Sequence, residues 1–194
     1  VPLGHSKVVD STPQSVLRFA IMKSLTAVEL DTFLTVSRKH SEADFWMFLV
    51  MWNHGLRVSE ALNLTAENFV FGKLILQRLK GSRKTAQPIL PLETPETRAD
   101  FMAFVASRPG RLFPTYRMDV WRKMQEYGAE AGIDPTKRHP HALKHTCGRL
   151  AYRRGVGIPE IQVWLGHVNG KNTMEYMLPT EDEAADAFGA AAGR

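Results

Sequence analysis

The hydrophobic period of this chain changes near residue 69, and that change limits the possible folds more than any other feature. Before it, apolar residues recur at helical spacing. Thr26 and Glu29 form a capping box ahead of Ala27, Leu30, Phe33 and Leu34. Phe45, Phe48, Leu49 and Trp52 mark a second helix ending near Gly55, and a short helix is expected over 59–64. From Phe69 the pattern alternates through Phe71, Leu74 and Leu76 about a hairpin at Gly72 and Lys73, with a third short strand over 88–92. Helical punctuation then returns. Pro95 opens a helix with Phe101, Phe104 and Val105 inward, and Asp119 caps one that carries Trp121, Met124, Gly128 and Ala131 as far as Gly132. Pro140 opens a helix to Gly155, Pro159 a shorter one to Gly166, and a last helix covers about 181–192. The expected fold is α+β and mainly α, a helical domain with a small three-stranded antiparallel sheet near its N-terminal third.

Residues 1–24 lack sustained periodicity and read as a linker or arm, leaving 25–194 as one domain. With 44% hydrophobic and 23% charged residues in 194, a core of ordinary size forms without staples. Val1 in place of Met leads to the expectation of a fragment or processed product. Cys147, the single cysteine, excludes an intramolecular disulfide and suits a reducing cytoplasm. No apolar run approaches bilayer length and no signal-peptide pattern is seen, so no membrane role is expected. The net charge of +5 points toward a polyanion. Lys73, Arg78, Lys80, Arg83 and Lys84 form one basic cluster, and Lys137, Arg138, Lys144, Arg149, Arg153 and Arg154 a second.

Four islands carry the candidate chemistry: the run from Gly55 to Leu62 containing Arg57, the basic turn at 80–84, the stretch His141-Ala142-Leu143-Lys144-His145, and Leu165-Gly166-His167 with Tyr176 nine positions on. Each has a plain structural reading. Arg57 could pair with Glu60, the basic turn could be a solvated loop, His167 could cap its helix, and Tyr176 could pack in the core. His139, His141 and His145 invite a metal reading. However, the zinc-protease glutamate is missing, since Ala142 follows His141, and neighbouring cations oppose a metal ion. Neither metal nor cofactor is expected.

Together the islands fit one reaction. A phosphodiester attacked by a hydroxyl gathers negative charge on its non-bridging oxygens, which needs pre-placed cations and hydrogen-bond donors. Arg57, His141, Lys144 and His167 can supply them. A hairpin lysine such as Lys80 can protonate a leaving 5′ oxygen, and a tyrosine hydroxyl can form a covalent link. The set resembles the tyrosine recombinase (phage integrase) family, whose pattern is an arginine in G-L-R-x-S-E, a hairpin lysine, H-x-L-R-H, L-G-H, and a tyrosine nine residues later. The resemblance covers about residues 25–194. It implies catalytic roles for Arg57, Lys80, His141, Lys144, His167 and Tyr176, with Arg83 and Lys84 as alternatives for the hairpin cation. Lys144 stands where the family has its second arginine.

That resemblance implies attack by Tyr176 to give a 3′-phosphotyrosyl enzyme and a free 5′-hydroxyl, without metal or ATP. It further implies double-stranded DNA as partner, a homo-tetramer on DNA, a monomer as the isolated domain, and a cytoplasmic, DNA-associated location. Two rivals stay open. One is a non-catalytic helix-turn-helix module built on 141–166; the other is a relaxing, type IB-like topoisomerase using the same cations.

Overall fold

The computed structural model describes residues 24–78, 84–167 and Gly189. Thr26 opens α1 (Ala27–His40) with both halves of the capping box formed: its hydroxyl accepts from the Glu29 amide, and the Glu29 carboxylate accepts from the Thr26 amide. Leu30, Phe33 and Leu34 turn inward, whereas Ala27 is exposed in the first turn. Ser41 ends α1 and caps α2 (Glu42–Asn53). This second helix is buried from Asp44 to Asn53, so it forms the centre of the core and not a one-sided surface element. Its buried carboxylate is satisfied: Asp44 accepts from Lys123 Nζ at 2.6 Å and from the Tyr127 hydroxyl at 2.8 Å.

A short α3 (Val58–Leu62) leads to the sheet, an antiparallel meander of β1 (Phe69–Val70), β2 (Lys73–Gln77) and β3 (Lys84–Pro88). The expected α+β architecture is present, with two shifts. The first turn is Phe71–Gly72, both at positive φ, because Lys73 already pairs with Val70. The third strand precedes 88–92: β3 pairs Lys84 with Gln77 through Pro88 with Lys73. Beyond it Leu90 takes φ 41°, and its amide donates to His54 Nε2, so the chain leaves the ladder for the helical core. Four more helices follow: α4 (Pro95–Ala106), α5 (Arg117–Glu130), α6 (Pro140–Arg153) and α7 (Ile158–Trp164). Tyr116, not Asp119, holds the N-cap position of α5. Asp119 lies in the first turn, bonded to Thr115 and Arg122, where its charge suits the helix N-terminus. On α5, Met124 and Gly128 face the core, but Trp121 is half-exposed at 47%. The helix expected over 181–192 lies outside the described residues, Gly189 apart.

His54 fastens the sheet to α2. Its ring is fully buried, its Nε2 accepts the Leu90 amide, and its Nδ1 therefore donates to Gln87 Oε1 at 2.9 Å. Burial pushes its pKa down to about 4, helped by the nearby Arg78 charge and opposed by the Gln87 bond. The unfolded chain thus takes up this proton near pH 6.5, before the folded one does. Stability from the neutral ring is complete above pH 6.5, declines as pH falls, and is gone below about 4, a swing of roughly 3 kcal/mol. Urea melts between pH 7 and 4 are expected to show it. In His54→Gln that acid slope flattens; an unchanged slope assigns acid sensitivity to other groups.

Candidate active site

Two helix ends meet here, and both are made by glycines. Gly55, after α2, has φ 57°, and a Cβ there would collide with the Leu165 side chain; Gly166, after α7, has φ 67°, and a Cβ there would stand 2.7 Å from Arg78 Cγ. Each thus needs both a left-handed backbone and room. Arg57 follows the first glycine by two residues, and His167 follows the second directly.

Arg57 occupies the N-cap position of α3. Its amide donates to Glu60 Oε2 and its Nη1 to Glu60 Oε1, both at 2.9 Å. The plain expectation for Arg57, a pair with Glu60, is therefore observed, yet the guanidinium remains partly exposed at 26% while the carboxylate is sealed. Arg57 and His141 also line one cleft of about 780 Å³ with Arg117, Trp121 and His139. A solvent-facing guanidinium whose other side is anchored on a buried carboxylate is held ready for an anion.

Lys144 comes from the buried face of α6 and is 1% exposed. Its Nζ donates to Gly55 O and Leu165 O, each at 2.8 Å, so it ties the two helix ends together. Burial lowers its pKa to about 7, with the Arg78 charge adding to the fall and Glu60 opposing it. His167 is buried beside it. Burial, then the charges of Lys144 and Arg57, lower its pKa to about 4, so its imidazole is neutral near pH 7. His141 is exposed at the first turn of α6, its ring edge-on to His145 at 4.6 Å. Among the described residues no group of three His, Cys, Asp or Glu is placed to hold a metal ion.

The structure thus brings together Arg57, His141, Lys144 and His167, with His167 sensing the charge of the other three. Lys80, Arg83 and Tyr176 lie outside the described residues; Lys84 opens β3 and is exposed. Arg78, expected within the first basic cluster, does not face a polyanion. It is 2% exposed and pairs with Glu60 at 3.1 Å. The signal was present in the strand period, since Arg78 continues the inward set of Leu74 and Leu76. Within the second basic cluster, Lys137 is likewise committed, to Glu29 at 2.9 Å.

The chain is similar to known proteins in both sequence and fold. The sequence model of the phage integrase family matches residues 23–183. Tyrosine recombinase XerA of Pyrococcus furiosus is 34% identical over 175 residues, which are 85% of this chain and 60% of that protein. The catalytic domain of bacteriophage HP1 integrase superposes with a TM-score of 0.65 at 21% identity, covering 85% of this chain and 94% of that domain. The XerH recombinase bound to its difH substrate gives 0.65 at 19% identity, covering 84% of this chain and 52% of XerH. The chain therefore spans between about half and 60% of the XerH and XerA lengths.

Proposed function

The chain belongs to the phage integrase family, and we propose that residues 25–194 are the catalytic domain of a site-specific DNA recombinase, with 1–24 as its linker. One observation carries the reading. A half-exposed arginine, a buried lysine, a neutral histidine and an exposed histidine converge where two helix ends meet, around a single carboxylate. That surplus of donors suits the extra charge of a pentacoordinate phosphorane.

In this mechanism Tyr176 attacks the scissile phosphate. The P–O bond to the 5′ oxygen breaks, a 3′-phosphotyrosyl link forms, and the 5′ oxygen takes a proton from Lys80. Arg57 and Lys144 oppose the phosphorane charge, and neutral His167 donates a hydrogen bond to a non-bridging oxygen. His141, at the cleft edge, accepts the proton that the Tyr176 hydroxyl gives up as it attacks. A 5′-hydroxyl of a partner duplex then reverses the step, so the bond energy is kept and neither metal nor ATP is consumed. Double-stranded DNA is the substrate, a homo-tetramer assembles on it, the free domain is a monomer, and the location is cytoplasmic and DNA-associated.

Incubation of the full chain with a randomised pool of nicked duplexes tests this. A covalent protein–DNA product that survives denaturant and yields to protease is expected, and the captured duplexes define the site. DNA binding without that product would leave a binding module. Covalent product with relaxed circles but no recombined molecules would assign a relaxing topoisomerase.

A further inference from the structure

We infer that Arg78 is a positioning residue, a buried guanidinium that holds Arg57 and His167 in register through the main chain each stands on. The inference rests on the recombinase reading and adds to it a residue outside the family's motif.

All five N–H groups of Arg78 are used inside the protein. Nε donates to Thr85 Oγ1 at 3.1 Å; Nη1 to Gly55 O at 3.3 Å and Glu60 Oε2 at 3.1 Å; Nη2 to His54 O at 2.8 Å and Trp164 O at 2.9 Å. No donor is left for a phosphate, which removes Arg78 from the groups that touch substrate. Its acceptors instead read as an address list. His54 O and Gly55 O end α2 and lead into Arg57. Trp164 O ends α7 and leads into His167. The Glu60 carboxylate grips Arg78 with one oxygen and the Arg57 guanidinium with the other.

The electrostatics agree. Carbonyls at helix ends carry partial negative charge, and two such ends face one another here in a buried seam. Without a cation they would repel and part. Lys144 bridges Gly55 O and Leu165 O on the same seam, but three ammonium donors cannot replace five in a planar fork. Arg78 also follows β2 directly, two positions before Lys80, so the strand leading to the hairpin is fastened to the same seam.

The test uses the full chain and a captured duplex with sulfur replacing the bridging 5′ oxygen at the scissile link. That leaving group needs no proton, which keeps weakened variants measurable. Arg78→Lys is expected to lower single-turnover cleavage roughly 100-fold while DNA affinity stays within about threefold. The decisive comparison is with Arg57→Ala. On that background Arg78→Lys costs roughly tenfold and not 100-fold, because His167 is the only group left for it to position. Equal loss on both backgrounds marks Arg78 as a general stabiliser and overturns the inference, as does a native rate in Arg78→Lys. If Arg78→Lys does not fold, Thr85→Val removes one acceptor at constant shape. A smaller loss with the same dependence on Arg57 then supports the assignment, and a native rate overturns it. Failure of the native chain to form any covalent product overturns the recombinase reading and this role with it, an outcome separate from the others.

Discussion

Tyr176→Phe abolishes the covalent DNA product, by on the order of 10⁴-fold or more, and leaves non-covalent affinity within about twofold. In the proposed mechanism the loss is large because the hydroxyl forms the bond itself, whereas affinity rests on phosphate contacts the phenyl ring does not disturb. The chain has four tyrosines, three of them among the described residues, and the structure argues most directly against Tyr127. Tyr127 is buried, donates its hydroxyl to Asp44, and is pushed well above its ordinary pKa by burial and by that carboxylate, the wrong direction for a nucleophile. Tyr116 precedes α5 and Tyr152 sits on the exposed side of α6 near its end. Capture of duplexes by Tyr176→Phe, followed by mapping of the linked peptide, would show at once if another tyrosine serves.

Lys144→Ala is the second large effect. It deletes the side-chain donor that, among the described residues, Gly55 O and Leu165 O share; Gly55 O keeps its bond from Arg78 Nη1, while Leu165 O loses this partner in a buried seam. Cleavage falls about 10²- to 10³-fold, and stability falls by roughly 1–3 kcal/mol as well. Lys144→Arg keeps the charge and adds donors in a rigid fork, so it cleaves at or above the native rate. The two also differ in pH dependence. The active form is the ammonium, and with its pKa held down near 7 by burial, its share in the free protein declines as pH rises through that value. The native rate of DNA capture therefore drops on the alkaline side, while Lys144→Arg, charged throughout, stays level. An alanine variant as fast as the native chain removes Lys144 from the mechanism.

What could be read from the sequence divides along a physical line. Local rules sufficed where the determinants are local: the Thr26 and Glu29 capping box, Pro95 at a helix start, and the alternation of Leu74 and Leu76 all formed as expected. The four described candidate residues lie close enough for His167 to feel the charge of the other three, as their motif spacing leads one to expect. Misplacements came where tertiary contacts override local preference. Residues 88–92 have strand-like composition, but His54 takes the Leu90 amide and ends the ladder. Asp119 looks like a cap, yet the helix starts earlier because Tyr116 is already extended. Arg78 was counted by its charge when its strand face decided its fate. The strand period marks Arg78 as inward, but its five acceptors, drawn from four separate segments, are seen only once those segments are assembled around it.

The glycine-to-helix-end joint at Gly55 and Gly166 has a consequence for divergence. The segments bearing Arg57 and His167 are fixed to one another mainly by main-chain carbonyls and by two positions that carry no side chain. Carbonyl positions do not depend on which residue supplies them. Apolar residues on α1, α4 and α5 can therefore drift, with changes in volume absorbed by repacking at modest cost, while the distance between the two functional segments stays the same. The tolerance for change is unequal across the chain: broad in the core that surrounds α2, and almost nil in the few residues where two helices end face to face.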